Sequence, residues 1–195
     1  MTYNFFLKRV IDFISAIILM ILLFPIMLLI SIVIKIDTRG PVLHWSKRVG
    51  KNSKLFLMPK LRTMKVKTPQ VASTLLKNPT KYITSFGSFL RKTSIDEIPQ
   101  LYSILQGKMS FVGPRPALFN QTHLVKLRQL KGIDKCLPGI TGLAQINGRD
   151  TLNIKQKVYF DMAYCSNISL YVDIRILLVT VLKIFIRTHK KDISH

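Results

Sequence analysis

Two carboxylates stand side by side, Asp96 and Glu97, in a chain that otherwise avoids acid. It carries 30 Lys plus Arg against nine Asp plus Glu, and Glu97 is its only glutamate. They lie in Leu90-Arg91-Lys92-Thr93-Ser94-Ile95-Asp96-Glu97-Ile98-Pro99-Gln100-Leu101, directly after two cations. A helix starting here, with Arg91 and Lys92 beside its N-terminus, is a natural site for phosphate. A plainer reading stands next to that one. Ser94-x-x-Glu97 has the form of a capping box, and Asp96 could itself be the N-cap with Pro99 in the first turn.

Three further stretches carry cations in positions that could serve an anion. Arg115 is fixed between Pro114 and Pro116, where helix is excluded and the guanidinium is held on a stiff turn suited to bidentate recognition. Lys60 and Arg62 share a strand face by period-2 alternation, although lysine is also a common guard of solvated edge strands. Residues 138–149 form a glycine-rich loop ending in Asn147-Gly148-Arg149, whose amides could approach an anion closely. The loop matches neither a Walker A nor a dinucleotide fingerprint.

The elements that must position these residues can be read around them. Residues 13–34 are uncharged, which is long enough for a membrane span at about 20 apolar residues. Length alone favours a simple span. Pro25 in the middle of the run removes a helical hydrogen bond, and basic residues flank both sides (Lys8 and Arg9; Lys35, Arg39, Lys47 and Arg48). That pattern supports a helix that bends at Pro25 and returns to the same face, because a span leaves one flank poor in Lys and Arg. Residues 42–64 read as a β-hairpin around Gly50-Lys51-Asn52-Ser53. A basic loop with a short helix over 72–77 follows, then a helix through Phe86, Phe89 and Leu90. The next helix buries Ile98, Leu101, Ile104 and Leu105 and stops at Gly107. Residues 118–130 and 170–188 are amphipathic, the latter too charged for a comfortable span and suited to a membrane surface or to core packing.

Bulk properties narrow the partners. A net charge of +21 calls for an anionic partner, and a mean hydropathy of +0.27 requires that charge and apolar surface be segregated. Membrane plus phosphate answers both, whereas a nucleic-acid binder would interleave aromatics with its basic runs. Cys136 and Cys165 have no metal or C-x-x-C spacing and read as free thiols, and the histidines are scattered.

Four ordered motifs, Lys60-Leu61-Arg62-Thr63-Met64, the acidic stretch 90–101, Gly107-Lys108-Met109-Ser110-Phe111-Val112-Gly113-Pro114-Arg115-Pro116 and 138–149, together resemble the bacterial sugar transferases, the small monotopic phosphoglycosyl transferases. The likeness runs from Lys8-Arg9 to the Ile184 region, in the minimal catalytic form. It implies an α+β, mainly helical fold. A re-entrant membrane helix would occupy 1–39, broken at Pro25, and a membrane-associated catalytic domain 40–195, with a short hairpin and amphipathic interfacial helices. It implies transfer of a sugar 1-phosphate from a UDP-sugar to polyprenyl (undecaprenyl) phosphate with Mg²⁺ and release of UMP. This would be the first membrane step of glycan assembly, on the cytoplasmic face of the bacterial inner membrane. By position, Asp96 would be the nucleophile, forming an aspartyl phospho-sugar, with Glu97 beside it and one or both holding Mg²⁺. Lys60, Arg62, Arg91 and Arg115 would bind phosphate, and Asn147, Gly148 and Arg149 would lie near the nucleotide. Departures from the family pattern are Phe24, Ser46, Asn78 and Leu143, where serine, glutamine, aspartate and tryptophan are usual. The rivals are a membrane-tethered basic module binding nucleic acid or anionic lipid, and another Mg²⁺ enzyme of lipid phosphates. Neither the sugar nor the oligomeric state can be read from these residues.

Overall fold

A computed structural model of the chain describes residues 5–66, 68–69, 78–148 and 151–189. The helix expected over 72–77 and the side chain of Arg149 lie outside them. The fold is mainly helical α+β. Helix α1 (Phe5–Asp37) runs about 50 Å at 1.5 Å per residue. Its inward stripe is Lys8, Asp12, Ala16, Met20, Leu23, Met27, Ile30 and Ile34, residues three or four apart that share one helix face. Phe13, Ile17, Ile21, Phe24, Leu28 and Ile32 stay exposed on the rest of its surface.

Pro25 lies inside α1, between the two core clusters that the helix serves. Before it, Ala16, Met20 and Leu23 pack with Phe56, Met58, Leu101, Ile104 and Met109. After it, Met27, Ile30 and Ile34 pack with Leu61, Leu90, Phe86 and Ile95. Both halves of the helix therefore rest on the same domain, and polar contacts fasten each end. Arg9 donates to the carbonyls of Ile104 (2.5 Å) and Leu105 (3.2 Å). Lys8 pairs with Asp173 at 2.5 Å. At the other end Arg62 donates to the carbonyls of Thr38 (2.7 Å) and Arg39 (3.0 Å).

The hairpin forms as expected, β1 (Leu43–Val49) antiparallel to β2 (Leu55–Leu61), with His44 opposite Lys60 and Arg48 opposite Phe56. Its turn bends through positive φ at Asn52 and Ser53. Helices α2 (Ser85–Thr93) and α3 (Leu101–Leu105) flank a 3-10 turn, Ile95–Gln100. A second, parallel pair, β3 (Ser110–Val112) with β4 (Gly139–Thr141), is not apparent from three-residue segments. A β-carbon on Gly139 would sit 2.1 Å from the Gly113 nitrogen, so this close crossing requires glycine. Helix α4 (Thr122–Leu130) covers the second part of the expected 118–130 helix. Short α5 (Leu143–Ile146), α6 (Ile154–Ser166) and α7 (Leu170–His189) complete the domain. Both cysteines are free, as expected.

Candidate active site

Asp96 and Glu97 open the 3-10 turn rather than cap a helix. Ser94 adopts a left-handed conformation (φ 59°) that ends α2 and reverses the chain, and its side chain makes no capping hydrogen bond. Neither cap arrangement legible in the sequence forms. The reversal presses the turn against the hairpin, and both acids are 8% exposed.

The two carboxylates have different surroundings. Glu97 Oε1 accepts from Lys60 Nζ at 2.7 Å and from Arg115 Nη2 at 2.8 Å. Burial alone would raise its pKa. Arg115 and Lys60, by charge and by hydrogen bond, outweigh burial and hold Glu97 well below the carboxylate range. Asp96 has no ion pair or side-chain hydrogen bond among the described residues. Burial pushes its carboxyl above the ordinary 3.8; Lys60 pulls it back, Glu97 adds to the rise, and Arg91 and Arg115 oppose it. Glu97 is pinned and anionic, whereas Asp96 has no such partner among the described residues and its carboxyl is more basic than an ordinary aspartate.

Of the expected cations, Lys60, Arg91 and Arg115 come together around the acids, whereas Arg62 does not. β2 ends at Leu61, which breaks the alternation, and the Arg62 guanidinium turns to the C-terminal end of α1, with Thr38 Oγ1 also 2.8 Å away. Arg48, which the sequence does not mark as a site residue, joins the cluster instead. Burial, with the Arg115 charge adding, pushes its guanidinium down to about 10, and Glu97 counters them. His44, across the hairpin from Lys60, is held below 6.5 by burial and by Arg48 and Lys60. A signal for Arg48 does exist: His44, Ser46 and Arg48 share one hairpin face with Phe56, Met58 and Lys60.

A cavity of about 900 Å³ opens beside this cluster. Its walls are apolar, with Leu19 and Leu23 from α1, Ile140, and Ile184 and Ile186 from α7. Polar groups collect at Glu97, Arg115, Lys92, Gln145 and Lys183. Lys183 also donates to the Ile146 carbonyl, and Thr180 hydrogen-bonds Thr141 at 2.7 Å, so α7 is latched to the glycine-rich loop. Gly148 lines the cavity, whereas exposed Asn147 turns its amide back to the Leu143 carbonyl.

Among the described residues no three His, Cys, Asp or Glu side chains cluster as a protein-only metal cage. A Mg²⁺ that takes one or two carboxylates and completes its shell with substrate phosphates and water would not need such a cage. Asp96, with Glu97 next to it, could supply those carboxylates.

Residues 3–187 match the family model described as bacterial sugar transferase. The UDP-glucose:undecaprenyl-phosphate glucose-1-phosphate transferase of Xanthomonas campestris pv. campestris is 39% identical over 195 residues, covering 93% of this chain and 40% of that protein. The undecaprenyl-phosphate galactose phosphotransferase of Salmonella typhimurium is 36% identical over 193 residues, covering 90% and 40%. The chain thus spans about two fifths of the length of both. The uncharacterized sugar transferase EpsL of Bacillus subtilis is 35% identical over 189 residues, covering 97% of this chain and 92% of EpsL.

Proposed function

The chain belongs to the bacterial sugar transferase family, and from that premise we propose that it transfers a sugar 1-phosphate from a UDP-sugar to undecaprenyl phosphate, releasing UMP. The observation that carries the reading is a carboxylate pair, Asp96 and Glu97, set among Lys60, Arg91, Arg115 and Arg48, with Glu97 and Arg115 lining an apolar cavity. The cations suit a diphosphate, and the cavity suits the isoprenoid chain of a lipid acceptor.

In this reading an Asp96 oxygen attacks the sugar-bearing phosphorus. The bond from that phosphorus to the oxygen bridging the two phosphates breaks, and UMP leaves with the bond's electrons. The resulting aspartyl phospho-sugar splits one transfer into two easier steps. An oxygen of undecaprenyl phosphate then attacks the same phosphorus and releases the Asp96 carboxylate. Burial favours the nucleophile by stripping water from its carboxylate. Lys60, Arg48, Arg91 and Arg115 neutralise the equatorial oxygens and the departing phosphate. Glu97 keeps Lys60 and Arg115 from repelling each other and aims both. Asp96 and Glu97 would hold Mg²⁺, which neutralises diphosphate charge when bound.

Helix α1 is the proposed membrane element. It is long and apolar enough to cross a bilayer, yet both its ends and its whole inward stripe rest on one domain. That favours a helix that dips into the cytoplasmic leaflet of the inner membrane, breaks at Pro25 and keeps both ends on one side. With Cys136 and Cys165 changed to serine, cysteines introduced at positions 4 and 52 should label from the same face; opposite faces would restore a simple span.

Purified, detergent-solubilised chain should release UMP from at least one of UDP-glucose, UDP-galactose and UDP-N-acetylglucosamine, and only with Mg²⁺ and undecaprenyl phosphate for full turnover. No Mg²⁺-dependent UMP from any of these would defeat the assignment. With acceptor omitted, a mass increase of one phospho-hexose or phospho-N-acetylhexosamine on the peptide containing Asp96 is the expected signature.

A further inference from the structure

Arg115 sits on a segment with few ways to be held. Pro114 and Pro116 have no amide N–H, so the turn Pro114-Arg115-Pro116-Ala117 can be restrained mainly through its carbonyls. All four are engaged, two of them from β1 and one each from β4 and α4. Gly139 N donates to the Pro114 carbonyl at 3.0 Å, and Val49 N to that of Ala117 at 2.9 Å. Arg48 Nη1 donates to the Pro116 carbonyl at 3.1 Å, with its Nε on Ser46 Oγ at 3.0 Å. The Arg115 carbonyl itself accepts from Arg128 Nη1 at 2.8 Å.

Arg128 lies on α4, away from the cavity, and is in turn locked. Its Nε and Nη2 both donate to Asp161 Oδ2, at 3.0 and 2.6 Å. Asp161, on α6, is 2% exposed. One planar guanidinium therefore bridges a buried carboxylate and the main chain of the residue that contacts Glu97. We infer that Arg128, fixed by Asp161, is a positioning residue that sets where the Arg115 guanidinium points. A bridge of this kind needs a fork of donors in a rigid plane, which lysine does not offer. The inference rests on the reading of Arg115 as a cation that faces the substrate.

The test is a double-mutant cycle on the full chain, read as UMP release and as calorimetric binding of inorganic pyrophosphate. Arg128→Lys keeps the charge beside Asp161 but cannot reach both acceptors. It should lower kcat/KM by roughly 10- to 100-fold, the scale of a misplaced catalytic group, and weaken pyrophosphate binding. In an Arg115→Lys background the same change should cost less than about twofold on either readout, because contacts act as a unit when one works through the other. A merely structural role would add its full loss in both backgrounds. If Arg128→Lys does not accumulate as folded protein, Asp161→Asn goes through the same cycle and is judged by the same results. Turnover and pyrophosphate binding both unchanged in the single variant, or a loss undiminished in the Arg115→Lys background, overturns the inference. Failure of the transferase reading looks different: the unmodified chain then releases no UMP, and pyrophosphate binding alone decides the positioning role.

Discussion

Two of the buried ionic clusters among the described residues are built to different ends. Near the N-terminus, Lys8 reaches Asp173 at 2.5 Å and Asp12 at 3.9 Å. The Tyr164 hydroxyl lies 2.7 Å from Asp173 and 3.0 Å from the Val112 carbonyl. That cluster ties α1, α7 and β3 together, elements up to 165 residues apart. At the candidate site, four cations gather around two carboxylates, one of which has no ion pair among the described residues, and a cavity opens alongside Glu97 and Arg115. The N-terminal cluster, with one cation between two carboxylates beside a cavity of only about 160 Å³, joins distant elements and fastens the fold. The candidate site, with cations in surplus beside a cavity of about 900 Å³, is suited to an anionic ligand.

The sharpest way to break the comparison is Asp96→Asn. If Asp96 is the nucleophile, as proposed, this change should abolish UMP release, by roughly 10⁴-fold or more. The same change should leave the melting temperature unchanged or raised. With its folded pKa above the ordinary value, an ionised Asp96 weakens the fold at neutral pH, and asparagine removes that penalty. Near-normal turnover in this variant would refute Asp96 as nucleophile. Glu97→Gln should do both kinds of damage, because Glu97 belongs to the site and is also fastened. We expect about 100-fold less turnover, the scale of one lost electrostatic contact, and about 3 kcal/mol less stability in chemical denaturation, as for a broken buried pair. Stability equal to the unmodified chain would show that Glu97 holds nothing in place.

At the other cluster the pattern should invert. Asp173→Asn should also lose about 3 kcal/mol, while turnover per folded molecule, corrected by active-site titration, stays within about threefold of the unmodified chain. A large loss of turnover with stability intact would move this cluster into the catalytic machinery.

Much of this contrast is legible in the amino-acid sequence, and the parts that are not share a physical reason. The hairpin, the long apolar helix and the acid pair rest on local patterns: alternation, an uncharged run and a rare residue type. Arg91 is identifiable because it stands close before the acids, Lys60 by strand alternation and Arg115 by its flanking prolines. Arg62 departs from its expected place because alternation holds only while the strand lasts, and β2 stops one residue earlier. Arg48 escapes a reading of the sequence because its importance depends on which strand face meets the 3-10 turn, a tertiary fact. The cap readings fail for the same reason, since a carboxylate three residues from a serine can turn to a cation from another element. Arg128 and Asp161 are 33 residues apart in sequence, on helices whose own periodicity gives no hint that they meet.

The mildest test separates the clusters without mutation, by pH. Asp96 acts as an anion and its pKa is raised, so turnover should fall as pH drops while still above the ordinary carboxylate value of 3.8. Protonating it favours the fold, since its folded pKa lies above its unfolded one. Glu97 runs the opposite way. Its folded pKa is depressed, so its contribution is complete above about 4.5 and is lost only as pH falls through the lower folded value. The acid limb of activity should therefore be reversible and precede any loss of melting temperature. Rates and melting temperatures measured on the same samples between pH 7 and 4 decide the matter. If the two fall together, the acid limb is unfolding, and the two carboxylates do not divide their roles as the geometry at Lys60 and Arg115 argues.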